Sequence, residues 1–442
     1  MYNPELITIL MFCALLFGIF IGIPLGFVLG GIAVIFGFLI LGVDASLTMF
    51  SLRVFDVMGN YVLVSIPLFI FMANCLSESG VAGDMFNTVR HLFGSVRGGL
   101  AVAVVVVSTV LAACSGITGA ACVTMSVLGL PVMLEAGYDK RLACGSITGS
   151  SALGILIPPS IMLIVMAEQT GLSIGKLFAG AIIPGLILSS LFIIYILIKC
   201  YRNPEIGPAI SKEERSKVTA KQLAIMAIKS MLPPLVLIIG VLGAIFLGVA
   251  TPTESAGTGA FLAFLMVIAY KRFTWKTFLG MVMSATKSTC MVMLVMIGAS
   301  CFTGVFIGCG GGNVIKDFIL GIGLERWGTY IVMMLIFFVM GMFLDWIAIV
   351  MLTFPVFLPI VDQFGFDRLW WVVSVAVMLQ DSFITPPFGY NLFYMKGSAP
   401  PEISMMDIIK GSIPFWELME LGLIIVCVFP ETVTWLPTIL VK

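Results

Sequence analysis

Gly154-Ile155-Leu156-Ile157-Pro158-Pro159-Ser160 lies inside one apolar run, and Thr385-Pro386-Pro387-Phe388-Gly389-Tyr390-Asn391 lies inside another, with the double prolines 228 positions apart. Two consecutive prolines remove two amide donors and clash with the carbonyls of the preceding turn, so a helix must unwind at each point. In hydrocarbon an unwound backbone survives only where protein or a water-filled cavity satisfies it. Freed carbonyls can then hold a cation, and half-helix amino ends an anion. The same break occurring twice, at matching places, decides the architecture.

Sliding the chain by 228 positions brings more into register. Pro24 falls on Pro252, Leu130-Pro131 on Leu358-Pro359, and Gly80 and Gly83 on Gly308 and Gly311. Gly137-Tyr138-Asp139-Lys140 falls on Gly365-Phe366-Asp367-Arg368. Four of the first seven prolines find a proline partner, where usage of about 5% predicts well under one match. The register drifts by two positions near the end, where Pro184 pairs with Pro414.

Composition sets the environment. Of 442 residues, 60% are hydrophobic and 10% charged, against about 25% charged in a soluble domain. That is too little charge for a solvated shell. At about 20 residues per crossing, the chain has room for about a dozen membrane segments. Leu6 to Phe20 lacks a preceding basic region and its apolar run continues past Ile23, so it reads as a retained helix, not a removed signal. Ten cysteines without a Cys-x-x-Cys pair read as buried, reduced, small apolar residues. One histidine, His91, argues against a zinc site or a histidine triad, and the absence of a phosphate-binding loop argues against ATP-driven transport by this chain. No nucleic-acid partner is expected.

One segment, Lys199 to Lys229, is plainly hydrophilic, with seven basic residues against three acidic ones. Such an excess beside membrane spans places a linker in the cytoplasm. The expected organisation is a first repeat over 1–198, a cytoplasmic basic linker over 199–230, and a second repeat over 231–442. The turn with Lys271, Arg272 and Lys276 has a counterpart near Gly42 to Ser46 that holds only Asp44. Lys140-Arg141 likewise answers to a region with Asp362, Asp367 and a lone Arg368. Opposite charge bias at equivalent turns predicts inverted repeats with both termini on the periplasmic side.

Beside each double proline lies an apolar stretch interrupted in its middle. One runs from Gly99 to Leu134 with Ser115-Gly116-Ile117-Thr118-Gly119 at its centre; the other runs from Tyr330 to Val361 with Gly341 and Asp345. Both are short for two crossings of about 20 residues each with a turn, so each reads as a re-entrant helical hairpin. Asp345 at the second tip reads either as part of an ion site or as a helix cap. Asp381 and Glu254 read as structural, at an interface or capping a half-helix. Ser115, Thr118, Thr385 and Asn391 add uncharged oxygen donors, which suit Na⁺ better than a transition metal. Pro67 and Pro184 read as simple kinks, and Gly18, Gly22, Gly26 and Gly30 as a packing stripe.

Together these residues resemble the DctM-type large membrane subunit of the tripartite ATP-independent periplasmic (TRAP) transporters. The matching stretches are Ser65 to Phe69, Ser115-Gly116, Gly154 to Ser160, Gly248 to Glu254, Gly341 to Asp345 and Thr385 to Phe393. The resemblance implies an all-α, polytopic, elevator-type transporter in a bacterial inner membrane, driven by a Na⁺ gradient and needing no cofactor. It implies a small four-helix membrane subunit and a periplasmic substrate-binding protein as partners. The cargo would be a small carboxylate: a dicarboxylate, sugar acid or sialic acid. Carried over residue by residue, the resemblance implies Na⁺ sites at Ser115 and Gly116 with Ile155, Leu156 and Ile157, and at Gly341 and Asp345 with Thr385. Thr118, Ser160, Pro386, Phe388 and Asn391, at the same breaks, are the substrate-binding candidates. Ile117 stands where a second serine is common in the family, so a side-chain ligand is not expected there. A self-sufficient ion-coupled anion transporter or antiporter of similar architecture is the alternative. An intramembrane enzyme would need Asp345 and Asp381 as a dyad, and the first-half positions matching them are Ile117 and Leu153, which cannot ionise.

Overall fold

A computed structural model describes residues 3–116, 118–210 and 218–441, and of Ala112, Cys114 and Ser115 the backbone alone. Every regular element among the described residues is helical. In chain order the first half holds α1 (Pro4–Phe20), α2 (Leu25–Phe36), α3 (Val43–Met58), α4 (Ser65–Glu78) and α5 (Val81–Phe93). It continues with α6 (Gly99–Ser115), α7 (Thr118–Glu135), α8 (Lys140–Ala152), α9 (Ile161–Thr170) and α10 (Ile174–Arg202). The second half holds α11 (Ala220–Phe246), α12 (Pro252–Ala269), α13 (Trp275–Gly308), α14 (Gly311–Gly321) and α15 (Arg326–Gly341). It ends with α16 (Trp346–Gln363), α17 (Arg368–Asp381), α18 (Tyr390–Ser398), α19 (Met405–Val428) and α20 (Glu431–Leu440).

Seven of these helices are long and apolar enough to cross a membrane, or eight if the bent stretch Val43–Met58 plus Val62–Glu78 is one span. The rest of the dozen segments that hydrophobicity allows are shorter apolar helices such as Pro4–Phe20, Ile161–Thr170 and Arg326–Gly341. They are short because the tips and proline breaks interrupt them. The second arms of the two hairpins, α7 and α16, are each long enough to count as spans by themselves.

Helix boundaries follow the 228-residue offset. Helices α7 and α16 start and stop at corresponding residues, as α8 and α17 nearly do. The shared Gly-aromatic-Asp sequence explains the turn between them. Gly137 and Gly365 adopt φ of +80° and +64°, which only glycine enters at no steric cost. Tyr138 and Phe366 are buried, and Asp139 and Asp367 cap the next helix by accepting from Leu142 N at 2.9 Å and Trp370 N at 2.7 Å. Each such cap contributes about 1 kcal/mol. Glu254 belongs to a capping box with Thr251 at the start of α12, in line with the structural reading of that residue.

The linker is shorter than composition indicates, because charged helix ends project beyond the apolar spans. Helix α10 runs on through Lys199 to Arg202, and α11 begins at Ala220 behind a Thr219–Gln222 capping box. What precedes the undescribed residues 211–217 is pinned by backbone hydrogen bonds from Gly98 N to Gly207 O, Asp139 N to Ile206 O and Ile210 N to Gly94 O.

Extensive helix pairings cross between the halves: α4 with α12, α2 with α13, and α8 with α19. Glycine allows two of them. A Cβ on Gly298 would lie 2.5 Å from Gly26 O, and one on Gly145 would lie 2.0 Å from Gly411 O. The stripe Gly18–Gly30 is thus partly a packing stripe. Gly18 and Gly26 meet Val28 and Leu294, Gly22 supplies a turn at φ +89°, and Gly30 has open space. Pro184 sits within a continuous α10, and Cys75, Cys122, Cys144 and Cys301 are buried free thiols, whereas Cys13 is exposed. Gly411→Ala is expected to lower stability by about 1–3 kcal/mol, since no side chain can yield where the obstacle is backbone. A thermal melt in detergent with an unchanged midpoint would contradict this.

Candidate functional site: hairpin tips against broken helices

Both double prolines interrupt a helix, as their chemistry requires. Helix α8 gives way to a 3₁₀ turn at Leu153–Ile155, and α9 starts only at Ile161. In the second half α17 stops at Asp381 and α18 starts at Tyr390. The Pro158–Pro159 and Pro386–Pro387 bonds are both cis. The breaks differ in cover: residues 151–160 are all buried, while Pro386 and Pro387 are exposed.

Each tip rests on the break of its own half. Gly116, between α6 and α7, has φ +60°, and a Cβ there would stand 2.8 Å from Pro159 O. Gly341 closes α15, and a Cβ there would stand 2.7 Å from the Cβ of Ser382, just before the second break. The breaks hold their shape through local hydrogen bonds. The Ser160 hydroxyl donates to Ile155 O and accepts from Leu163 N at 3.3 Å, capping α9. The Thr385 hydroxyl donates to Asp381 O, and Asn391 N donates to Phe383 O at 2.9 Å.

A cavity of about 460 Å³ opens where these elements meet. One wall comes from α2 and α13, through Pro24, Leu25, Gly26, Ser288 and Val292 among others. The facing wall comes from the tips and broken helices: Gly116, Thr118, Ile155, Ile161, Asp345, Trp346, Tyr390 and Tyr394. Ile161, Thr118, Trp346 and Tyr390 are the first residues of α9, α7, α16 and α18. Four helix amino ends therefore converge on one space, each carrying roughly half a positive charge in unpaired N–H groups. Asp345 is the one charged side chain among the described lining residues. It caps α16, accepting from Ile347 N at 3.3 Å. The arrangement can bind an anion without arginine.

Of the residues singled out from sequence, Gly116, Thr118, Ile155 and Asp345 share this cavity. Leu156, Ile157, Ser160, Gly341 and Thr385 belong to the tips and breaks behind it and do not line it. Pro386 and Phe388 stand on the more exposed second break. The side chain of Ser115 and all of Ile117 lie outside the described residues. Asn391 is fully buried away from the cavity: its amide donates to Thr148 O at 3.1 Å and its carbonyl accepts from Cys122 Sγ at 3.4 Å, tying the halves together. Sequence reasoning missed Trp346, Tyr390 and Tyr394, although each lies beside a quoted motif. It also missed the α2–α13 wall, whose apolar residues look like any membrane helix. Asp345 and Asp381 form no dyad: the first faces the cavity, and the second has Glu420 beside it.

Comparison with known proteins agrees with this geometry. A family model described as the DctM component of tripartite ATP-independent periplasmic transporters matches residues 12–432. The C4-dicarboxylate TRAP transporter large permease protein DctM of Vibrio cholerae is 31% identical, covering 98% of this chain and 97% of its own. The isethionate TRAP transporter permease protein DctMQ of Oleidesulfovibrio alaskensis is 27% identical over 85% of this chain and 58% of its own length. In fold, the YdaH transporter of Alcanivorax borkumensis superposes with a TM-score of 0.63 at 15% identity, covering 97% of this chain and 98% of that one. These relatives are transport proteins, and the chain is a multi-pass membrane permease, not an enzyme. It belongs to the DctM family, the large permease component of the tripartite ATP-independent periplasmic transporters.

Proposed function

We propose that this permease imports a small carboxylate across a bacterial inner membrane, driven by Na⁺, by moving the two hairpins and broken helices past α2 and α13. The observation that carries the reading is the cavity between those two sets of elements, with four helix amino ends turned towards it. A carboxylate fits amino ends, and 460 Å³ accommodates a molecule of dicarboxylate, sugar-acid or sialic-acid size. The C4-dicarboxylate and isethionate relatives are named for small organic anions, in keeping with this cargo.

Na⁺ is held between each tip and its break. Close backbone contact at Gly116–Pro159 and at Gly341–Ser382 brings carbonyl oxygens together there, and such hard uncharged donors suit an alkali cation. The first ion lies among Ser115, Gly116 and Ile155 to Ile157, the second among Gly341, Asp345 and Thr385. The halves are inverted repeats with the basic linker in the cytoplasm and the termini in the periplasm, as the charge bias of equivalent turns supports. A small four-helix membrane subunit and a periplasmic binding protein complete the system; the greater length of the DctMQ relative supports a separate small partner for a chain of this size.

The test is uptake of labelled carboxylate by proteoliposomes holding the permease and its partners, under an inward Na⁺ gradient. Uptake is expected to stop when the gradient is collapsed or the binding protein withheld. Uptake that continues without the binding protein would favour a self-sufficient transporter, and uptake that continues without Na⁺ would overturn the coupling.

A further inference from the structure

We propose that Asp381 and Glu420 form an internal proton site behind the second hairpin tip, sharing one proton between their carboxyl groups. Asp381 ends α17 with 1% of its surface exposed, and the Glu420 carboxyl of α19 lies within hydrogen-bonding reach of it. Carboxylate oxygens only accept, so their contact is a hydrogen bond only when one of them carries a proton. Two ionised carboxylates side by side in a span would repel each other in a medium that solvates neither.

Three further facts set the pair apart. Asp381 Oδ1 has no hydrogen-bond partner, and neither does Oε1 or Nε2 of the fully buried Gln380 beside it. Such unpartnered buried atoms mark where a proton or a bridging water is accommodated. The duplication supplies an internal control: the first-half positions are Ala152, Leu153 and Phe192, all apolar and fully buried, so the repeated fold does not need polar groups there. Among the described residues, Glu420 is also the one charged group acting on Asp381. Tyr330 of α15 feels Glu420 too, but its hydroxyl is engaged with Cys427 of α19. Charged residues of the other packed helices stand in end turns: Lys176, Lys199 and Arg202 of α10, Asp362 of α16 and Glu431 of α20. Glu168 of α9 is bonded to Asn60.

The position gives the proton a consequence. Asp381 O accepts from Ile384 N at 3.0 Å and from the Thr385 hydroxyl, and Ser382 is the residue against which Gly341 rests. Releasing the proton to water leaves two negative groups that push α17 from α19, one turn from the seat of the second tip. Binding a proton restores the seat. Transport thereby gains a sensitivity to pH that is separate from the cavity.

Infrared difference spectroscopy on the purified permease tests the site without any transport. Wild type is expected to show the C=O band of a protonated carboxyl, shifted in heavy water and lost on alkaline titration. The Asp381→Asn/Glu420→Gln double variant, whose fold is checked by circular dichroism, should lack it. A wild-type spectrum without that band, or a band unchanged in the double variant, overturns the proposal even if Na⁺-driven uptake proceeds as described above. In proteoliposomes the alkaline branch of wild-type uptake should fall about tenfold per pH unit, as for loss of one proton, while the double variant stays flat. Parallel pH profiles would overturn the coupling to the tip.

Discussion

Gly116→Val is expected to abolish uptake while leaving the protein folded in the membrane. Valine disfavours a φ of +60°, and its Cβ would stand 2.8 Å from Pro159 O, a backbone atom with no rotamer to yield. The tip must then lift off the break, which separates the backbone oxygens assigned to the first ion and moves the amino end of α7 at the cavity. Displacements of about 1 Å in such constellations cost on the order of 100-fold in rate, and uptake should fall by at least that. Gly30→Val is the control, because a Cβ at Gly30 meets nothing within 4 Å. Equal uptake by both variants, at matched membrane levels, would remove the tip from the mechanism.

Asp345 yields the second large effect, and two substitutions separate its two readings. Asparagine caps a helix about as well as aspartate, whereas leucine caps poorly. Asp345→Asn therefore keeps the hydrogen bond to Ile347 N and removes the charge, while Asp345→Leu removes both. If the carboxylate serves the second Na⁺, both variants should lose at least tenfold in uptake, about 1.4 kcal/mol. Asp345→Asn should in addition need more Na⁺ for half-maximal rate. Should Asp345→Asn transport normally while Asp345→Leu fails, capping would be the whole role of this residue.

Much of the site was legible in the linear chain because its chemistry is local. A double proline cannot continue a helix, whatever surrounds it. Gly137 and Asp139, repeated as Gly365 and Asp367, write a stop and a cap within three residues, and the structure places both there. The tips were legible for the same reason, since Gly116 and Asp345 interrupt otherwise apolar stretches. Asn391 shows where such reasoning ends. Its amide at a break looks like a ligand, yet in three dimensions it reaches Thr148 of the other half. The linker shows another limit, as charged residues from Lys199 to Arg202 prolong α10 instead of starting a loop.

By itself, then, the sequence determined the membrane environment, the duplication, the two tips and the two breaks. Each rests on residue chemistry acting within a turn or two of the backbone. The tertiary structure decided which of those residues face one cavity, that α2 and α13 form its other wall, and that Glu420 meets Asp381. The physical reason lies in the solvent. In a bilayer, faces turned to lipid and faces turned to protein are both apolar, so hydropathy does not distinguish them. Only packing between segments far apart in the chain turns four helix amino ends towards a common space and sets two carboxyls side by side.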